Sequence, residues 1–460
     1  MKILAKETAI YGVSSIVGKF LNWMLVPLYT YVLQQQSDYG IVTNLYAWTA
    51  LLLVILTYGM ETGFFRFANK DGENAQTVYS TSLIALFTTS LLFAVACVVW
   101  QAPIASALGY PTHSEFIALL GIVVAMDAFA SIPFAYLRYK KRPIKFASLK
   151  LLFIIMSIIL NLLYFAILPD LYVSHPDFIG NFYSPEVGVG YAFGINLACT
   201  AIITLFFWRE LFGVKWHFDT SLMRSMLSYT WPMLILGIAG ILNQTADKMI
   251  FPKVYGDTQE GNVQLGIYGA CVKIAMIMAM ITQAFRYAYE PIVFAKSKDS
   301  DKAEYYALGM KYFVIFTLLA FLAVMGYLPL LRYMVGSDYW AGLRVIPIVM
   351  AAEIMMGIYF NLSFWYKLID KTYYGALFSM AGCLVLLAVN LWGIPRYSYM
   401  ACAWGGFAGY GTAMLLSYIV GQRLYPIPYP LRSLAGYTAI AGAFYGAMTL
   451  VPSEWPMWQY

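Results

Sequence analysis

Charge is scarce in this chain. Asp, Glu, Lys and Arg make up 11% of its 460 residues, against about a quarter in a soluble globular domain. No stretch is polar enough to surround a soluble core, so a length that would ordinarily suggest about three domains reads as one continuous bundle. Histidine is rarer still, with only His113, His175 and His217, all in connections. The five cysteines (97, 199, 271, 383 and 402) fall in apolar runs at no ligand-like spacing. They read as small packing groups, with neither a disulfide nor a metal indicated. No GxxxxGK[ST] phosphate loop, HExxH or GxSxG is present. The longest connection on one side, 169–187, holds Asp170, Asp177 and Glu186 with His175 and no Lys or Arg. A membrane-embedded glycan polymerase or ligase would be expected to carry a large outer loop with basic or histidine residues. The reading is therefore a protein that is not an enzyme.

What the chain has in abundance is hydrocarbon. Hydrophobic residues are 61% of it and the mean hydropathy is +0.68, spread over the whole length. That is the composition of a polytopic helical membrane protein. Barrel strands would show short alternating segments, and these runs are continuously apolar. The first run is too long for a signal-peptide core and is read as a retained span. About 20 apolar residues cross a bilayer. Thirteen such spans are predicted: 9–33, 40–60, 79–100, 114–137, 147–168, 188–208, 226–251, 263–285, 308–330, 343–364, 373–394, 399–421 and 433–451.

Lys and Arg placement orients them, because cytoplasmic loops retain positive charge. With the N-terminus inside, the inner segments hold 22 of the 29 basic residues, the densest group being Arg138, Lys140, Lys141, Arg142, Lys145 and Lys150. The outer segments hold Lys253, Arg332, Arg344 and Arg396. The net charge of +6 is thereby accounted for by the anionic inner leaflet, without nucleic acid as a partner.

The punctuation repeats. Tyr39-Gly40 opens the second span and Tyr268-Gly269 the eighth; Gly109 precedes the fourth and Gly336 the tenth; Lys141 follows the fourth and Lys371 the tenth. The three offsets agree to within three residues. They suggest two six-span lobes, 1–215 and 216–421, with residues 422–460 adding one or two further spans. Repeated halves are a transporter signature.

Ionisable groups inside spans are the informative ones, since each costs about 2.5–3.5 kcal/mol even on the mildest scale. They are Lys19, Asp127, Asp247, Lys248, Lys273 and Glu353. Asp127 and Glu353 follow Gly109 and Gly336 at nearly the same distance, which makes them one acid per half. The bland alternative for each acid is an interhelical hydrogen bond. Lys19 lies farther from its span ends than Lys248, which can snorkel to the outer headgroups while Asp247 caps that end or pairs locally. Lys273 is intermediate. Glu61, Arg66, Arg286 and Glu290 flank inner ends, where interfacial anchoring is the stronger prior. As a set, the cations suit an anionic substrate such as a phosphate, and the acids suit cation coupling. Pro27, Pro133, Pro232 and Pro347 fall inside spans, where they free carbonyls and bend helices. Gly190/Gly194, Gly405/Gly409 and Gly442/Gly446 have the spacing that lets helices approach closely.

One resemblance ties these features together. Its residues are P-L-Y-T-x-x-L (Pro27 to Leu33), S-D-Y-G (Ser37 to Gly40) and G-M-E-T-G-F-F-R-F (Gly59 to Phe67). Further along come N-Q-T-A-D-K-M-I-F (Asn243 to Phe251), L-G-I-Y-G (Leu265 to Gly269) and V-G-S-D-Y (Val335 to Tyr339). Over at least 1–372 the chain resembles the Wzx-type polysaccharide exporters of the multidrug/oligosaccharidyl-lipid/polysaccharide flippase superfamily. The resemblance implies an all-α polytopic membrane protein with two pseudo-symmetric six-helix lobes around a central cavity, plus one or two C-terminal helices, 13–14 spans in all. It implies flipping of undecaprenyl-diphosphate-linked oligosaccharide across the bacterial inner membrane by alternating access, for O-antigen, capsule or exopolysaccharide assembly. Lys19 and Lys273 would then be cavity cations, Asp127, Asp247 and Glu353 coupling or gating acids, and Glu61, Arg66 and Arg286 inner-mouth charges. No cofactor is expected beyond an ion gradient of H+ or Na+. Expected partners are the lipid-linked substrate, membrane lipids and the polysaccharide polymerase machinery. A multidrug or cation antiporter of the same superfamily and a lipid II flippase are the competing readings. Many relatives have fourteen spans, one more than the thirteen counted.

Overall fold

Every regular element of the described residues is a helix, as hydrocarbon requires of a chain that must satisfy its own backbone. The structure is a computed structural model and describes residues 23–33, 35–70, 74–213, 216–295, 302–369 and 371–450. Among them, nine helical stretches are long and apolar enough to cross a membrane. Helix lies within each of the thirteen predicted spans, the first being described only from residue 23 and the sixth being short, Gly190–Leu205.

The chain divides into two compact units, Met1–Thr245 and Ala246–Tyr460. The first contains α1 (Leu25–Val32), α2 (Gln36–Thr57), α3 (Met60–Ala68), α4 (Ala75–Val99), α5 (Ser114–Tyr139), α6 (Pro143–Leu162), α7 (Gly190–Leu205), α8 (Trp208–Phe212) and the start of α9 (Thr220–Tyr255). The second has the rest of α9, then α10 (Thr258–Ala295), α11 (Lys302–Gly326), α12 (Ile346–Leu362), α13 (Tyr373–Tyr397), α14 (Met400–Leu424) and α15 (Leu431–Leu450). Asn74 caps α4 by accepting from the Gln76 amide at 2.9 Å, and Asp219 caps α9 through the Ser221 and Leu222 amides at 2.9 and 3.0 Å. Each bond satisfies a donor that a helix start leaves open.

In the first unit α5 is the hub, packing on α2, α3, α4, α6 and α7. Tyr79 of α4 stacks on Tyr136 of α5 with ring centroids 4.1 Å apart. Phe64, Leu222 and Met226 complete that buried cluster, which explains why the start of α9 belongs to this unit. The second predicted span does not run straight. Tyr58 and Gly59 have φ of +34° and +70° and break it between α2 and α3. A Cβ at Gly59 would also stand 3.2 Å from the Thr230 carbonyl oxygen of α9, so both the turn and the close approach call for glycine.

In the second unit the closest packing is α13 on α14. A Cβ at Gly382 would lie 2.6 Å from the Gly409 carbonyl oxygen, and one at Gly409 would lie 2.8 Å from that of Gly382. Gly405/Gly409 is thus a true contact of backbones. A Cβ at Gly442 or Gly446 meets nothing within 4 Å, while in the Gly190/Gly194 pair only Gly190 is crowded, its Cβ 3.0 Å from the Phe116 ring of α5. Proline placement differs too. Pro133 lies inside α5, but Pro347 sits in the first turn of α12, where no hydrogen bond is lost. Pro395, inside α13, is a further interior proline.

Candidate functional site

Several charges of the first unit lie on α3, α5 and α6. Glu61, in the first turn of α3, pairs with the Arg138 guanidinium at the end of α5. That guanidinium lies over the Phe65 ring, 4.8 Å from its centroid. Arg66 is exposed and stacks at 3.9 Å on Tyr229. Asp127, half-buried in mid-α5, accepts a long 3.5 Å hydrogen bond from Thr200 Oγ1 of α7. Its principal charged neighbour is Lys150.

Lys150 was grouped above with the inner-loop charges, and the structure corrects that grouping. Helix α6 begins at Pro143, whose fixed φ suits a first turn, so Lys150 lies two turns inside the span. The signal was present in the string FASLKLLFIIMS, where this lysine is apolar-flanked on both sides. Lys145 was placed in a loop as well. It sits in the first turn of α6 and grips the buried Glu210 of α8 at 2.7 and 2.8 Å.

In the second unit Asp247 and Lys248 are adjacent on α9, and the Lys248 ammonium bonds both carboxylate oxygens at 3.1 and 3.2 Å. Tyr268 of α10 donates to Asp247 Oδ2 at 2.9 Å, and Lys248 Nζ lies 5.6 Å from the Tyr268 ring centroid. Local pairing, more than snorkelling or capping, therefore describes this site. Asp247 is 6% exposed, so a carboxylate there needs these partners to remain charged. Lys273 on α10 is a like-charged neighbour of Lys248. The buried Tyr410 of α14 lies within electrostatic reach of both Asp247 and Glu353. Asp247 is thus joined to Lys248 and Tyr268, Lys273 is a charged neighbour of Lys248, and Tyr410 is a neighbour of both acids. Sequence reasoning had not singled out Tyr268 or Tyr410 as site residues. Tyr268 was visible only as a landmark of the repeat.

Arg286 lies farther along α10. It is exposed, lies 4.9 Å over Phe360 and borders a small pocket lined also by Thr282, Phe285, Asn361 and Phe364. The Thr282 hydroxyl is buried there with no hydrogen-bond partner among the described residues. Lys19 lies outside the described residues, as does the side chain of Glu290. The five cysteines are buried and free. Among the described residues no group of three His, Cys, Asp or Glu could hold a metal ion.

With this helical architecture and these charge sets in view, the comparisons with known proteins decide the family. The profile of the family described as "Polysaccharide biosynthesis protein" matches residues 4–292. The chain belongs to that family. Among solved structures it is similar to a lipid II flippase MurJ in an inward closed conformation, at 12% identity and TM-score 0.75, covering 98% of this chain and 94% of that one. It is also similar to an inward-facing multidrug resistance MATE family transporter of the MOP superfamily, at 13% identity and TM-score 0.68, covering 92% and 96%. A MOP superfamily transporter from Pyrococcus furiosus matches at 12% identity and TM-score 0.63, covering 94% and 96%. At such identities the likeness speaks for the fold alone. No curated protein matches the sequence. The expected class, an all-α polytopic membrane protein, is met. The fold is like that of the solved flippase and multidrug transporter structures.

Proposed function

We propose that the protein flips undecaprenyl-diphosphate-linked oligosaccharide across the bacterial inner membrane by alternating access, feeding O-antigen, capsule or exopolysaccharide assembly. The observation that carries this reading is membership of the polysaccharide biosynthesis family over 4–292, joined to a flippase fold along nearly the whole chain. Lys273 and Lys19 are the cations that meet the diphosphate or acidic sugars. Asp127, Asp247 and Glu353 couple transport to a gradient of H+ or Na+, and Glu61, Arg66 and Arg286 guard the inner mouth. The N-terminus is cytoplasmic, the repeated lobes are 1–215 and 216–421, and the released glycan passes to polymerase machinery.

Deleting the gene should cause lipid-linked repeat units to accumulate and surface glycan to disappear. Unchanged levels of both would end the proposal. A multidrug or cation antiporter is the second reading, favoured by the likeness to the multidrug transporter fold. It predicts drug sensitivity on deletion with the surface glycan intact. A lipid II flippase predicts that the gene is essential, with peptidoglycan synthesis arrested on depletion.

A further inference from the structure

The cations of the first unit differ in how firmly they are held. Arg138 is committed to Glu61 and to the face of Phe65. Lys145 is committed to the buried Glu210. Lys150 is exposed, and no hydrogen bond or ion pair reaches its ammonium among the described residues. Instead the ammonium rests on an aromatic face, with Nζ 4.1 Å from the centroid of Phe134. Asp127 and Glu61 are carboxylates within electrostatic reach, and Arg138 is the like charge near it. Asp127 is likewise uncommitted, its one hydrogen bond being the 3.5 Å contact from Thr200.

Phe134 holds the ammonium by its ring quadrupole without using any of its three donors. Lysine carries its charge as a point on a flexible stem and can exchange one partner for another, where arginine's planar fork favours one fixed pairing. Phosphate oxygens are stronger partners for such a donor than a carboxylate held at a distance. A cation kept inside a span at a cost, with its donors unspent and a carboxylate nearby, has the layout of an anion site with its own placeholder.

We propose that Lys150 binds the phosphate of the lipid-linked substrate, and that Asp127 is the internal carboxylate that attracts this ammonium in the empty protein and yields it to the incoming anion. This rests on the diphosphate-bearing substrate proposed above. The two residues then have opposite effects on binding, which no purely structural pair would show.

The test measures the affinity of purified protein, in nanodiscs of zwitterionic lipid, for a fluorescent polyprenyl diphosphate. Lys150→Ala should weaken binding about tenfold, the loss of one charge-assisted hydrogen bond. Asp127→Asn should tighten it by about threefold, because the competing carboxylate is gone. Lys150→Arg should retain most of the affinity. Asp127→Asn keeps the lysine and decides the matter even if Lys150→Ala does not fold. The proposal is overturned if Asp127→Asn weakens binding, which marks a structural pair, or if folded Lys150→Ala binds like the wild type, which marks a snorkelling anchor. Absence of binding by the wild type would instead overturn the substrate reading itself, and this site with it.

Discussion

The two units carry their membrane charges in opposite ways. In the second, Asp247 and Lys248 are neighbours on one helix, the carboxylate buried, the lysine half-buried, and the pair closed by the Tyr268 hydroxyl. In the first, Glu61, Asp127, Arg138 and Lys150 come from three helices and stay partly exposed. The difference teaches how burial decides what a charge is worth. A buried carboxylate loses its water and must keep its partners, so removing one is expensive. A half-exposed pair shares its charges with solvent or headgroups, and its loss costs little. The second unit's pair is therefore costly to open, and the first unit's set exchanges partners at little cost.

That contrast can be broken by experiment. The largest effect should come from Asp247→Ala, which leaves Lys248 and the Tyr268 hydroxyl without their shared acceptor. A loss of about 3 kcal/mol is expected, the usual cost of breaking a buried pair, read as a lowered midpoint of thermal unfolding in detergent. Tyr268→Phe keeps the ion pair and removes one hydrogen bond to a charged acceptor, so about 2 kcal/mol should go. The same melting assay reads it. Glu61→Gln should be the mildest, costing about 0.5 kcal/mol, because Glu61 and Arg138 are both substantially exposed. If Glu61→Gln lowered the midpoint as far as Asp247→Ala, burial would not be what separates the two sets.

Much of the fold was legible without coordinates. Continuous apolar runs dictated membrane helices, and a helix occupies each predicted span. The break at Tyr58 and Gly59 was not legible, because it depends on α9 approaching within 3.2 Å. Candidate charges were legible as a list, since an ionisable residue within an apolar run stands out in one dimension. Their grouping was not. Lys150 was counted with the loop charges although the predicted span, 147–168, already held it, and the helix starts four residues earlier still, at Pro143. Glu210 and Tyr410 owe their places to packing between helices distant in sequence. The repeat landmarks also part company in three dimensions. Gly109 ends a helix with φ of +92°, while Gly336 has φ of −54°, so equivalent positions need not play equivalent backbone roles.

By itself, then, the sequence determined the solvent this protein lives in, its helical class and the short roster of charges it carries there. Hydropathy and the demand for internal backbone hydrogen bonds are properties of local stretches. Only the tertiary structure decided which charges are partners. The Gly405/Gly409 spacing brings two backbones together, while the identical Gly442/Gly446 spacing meets nothing. Asp247 is closed by a tyrosine from another helix, and Lys150 is left on the face of Phe134 with its donors unspent. Electrostatic and packing energies fall off over a few ångströms, and distances of that size between residues far apart in the chain are set by the fold.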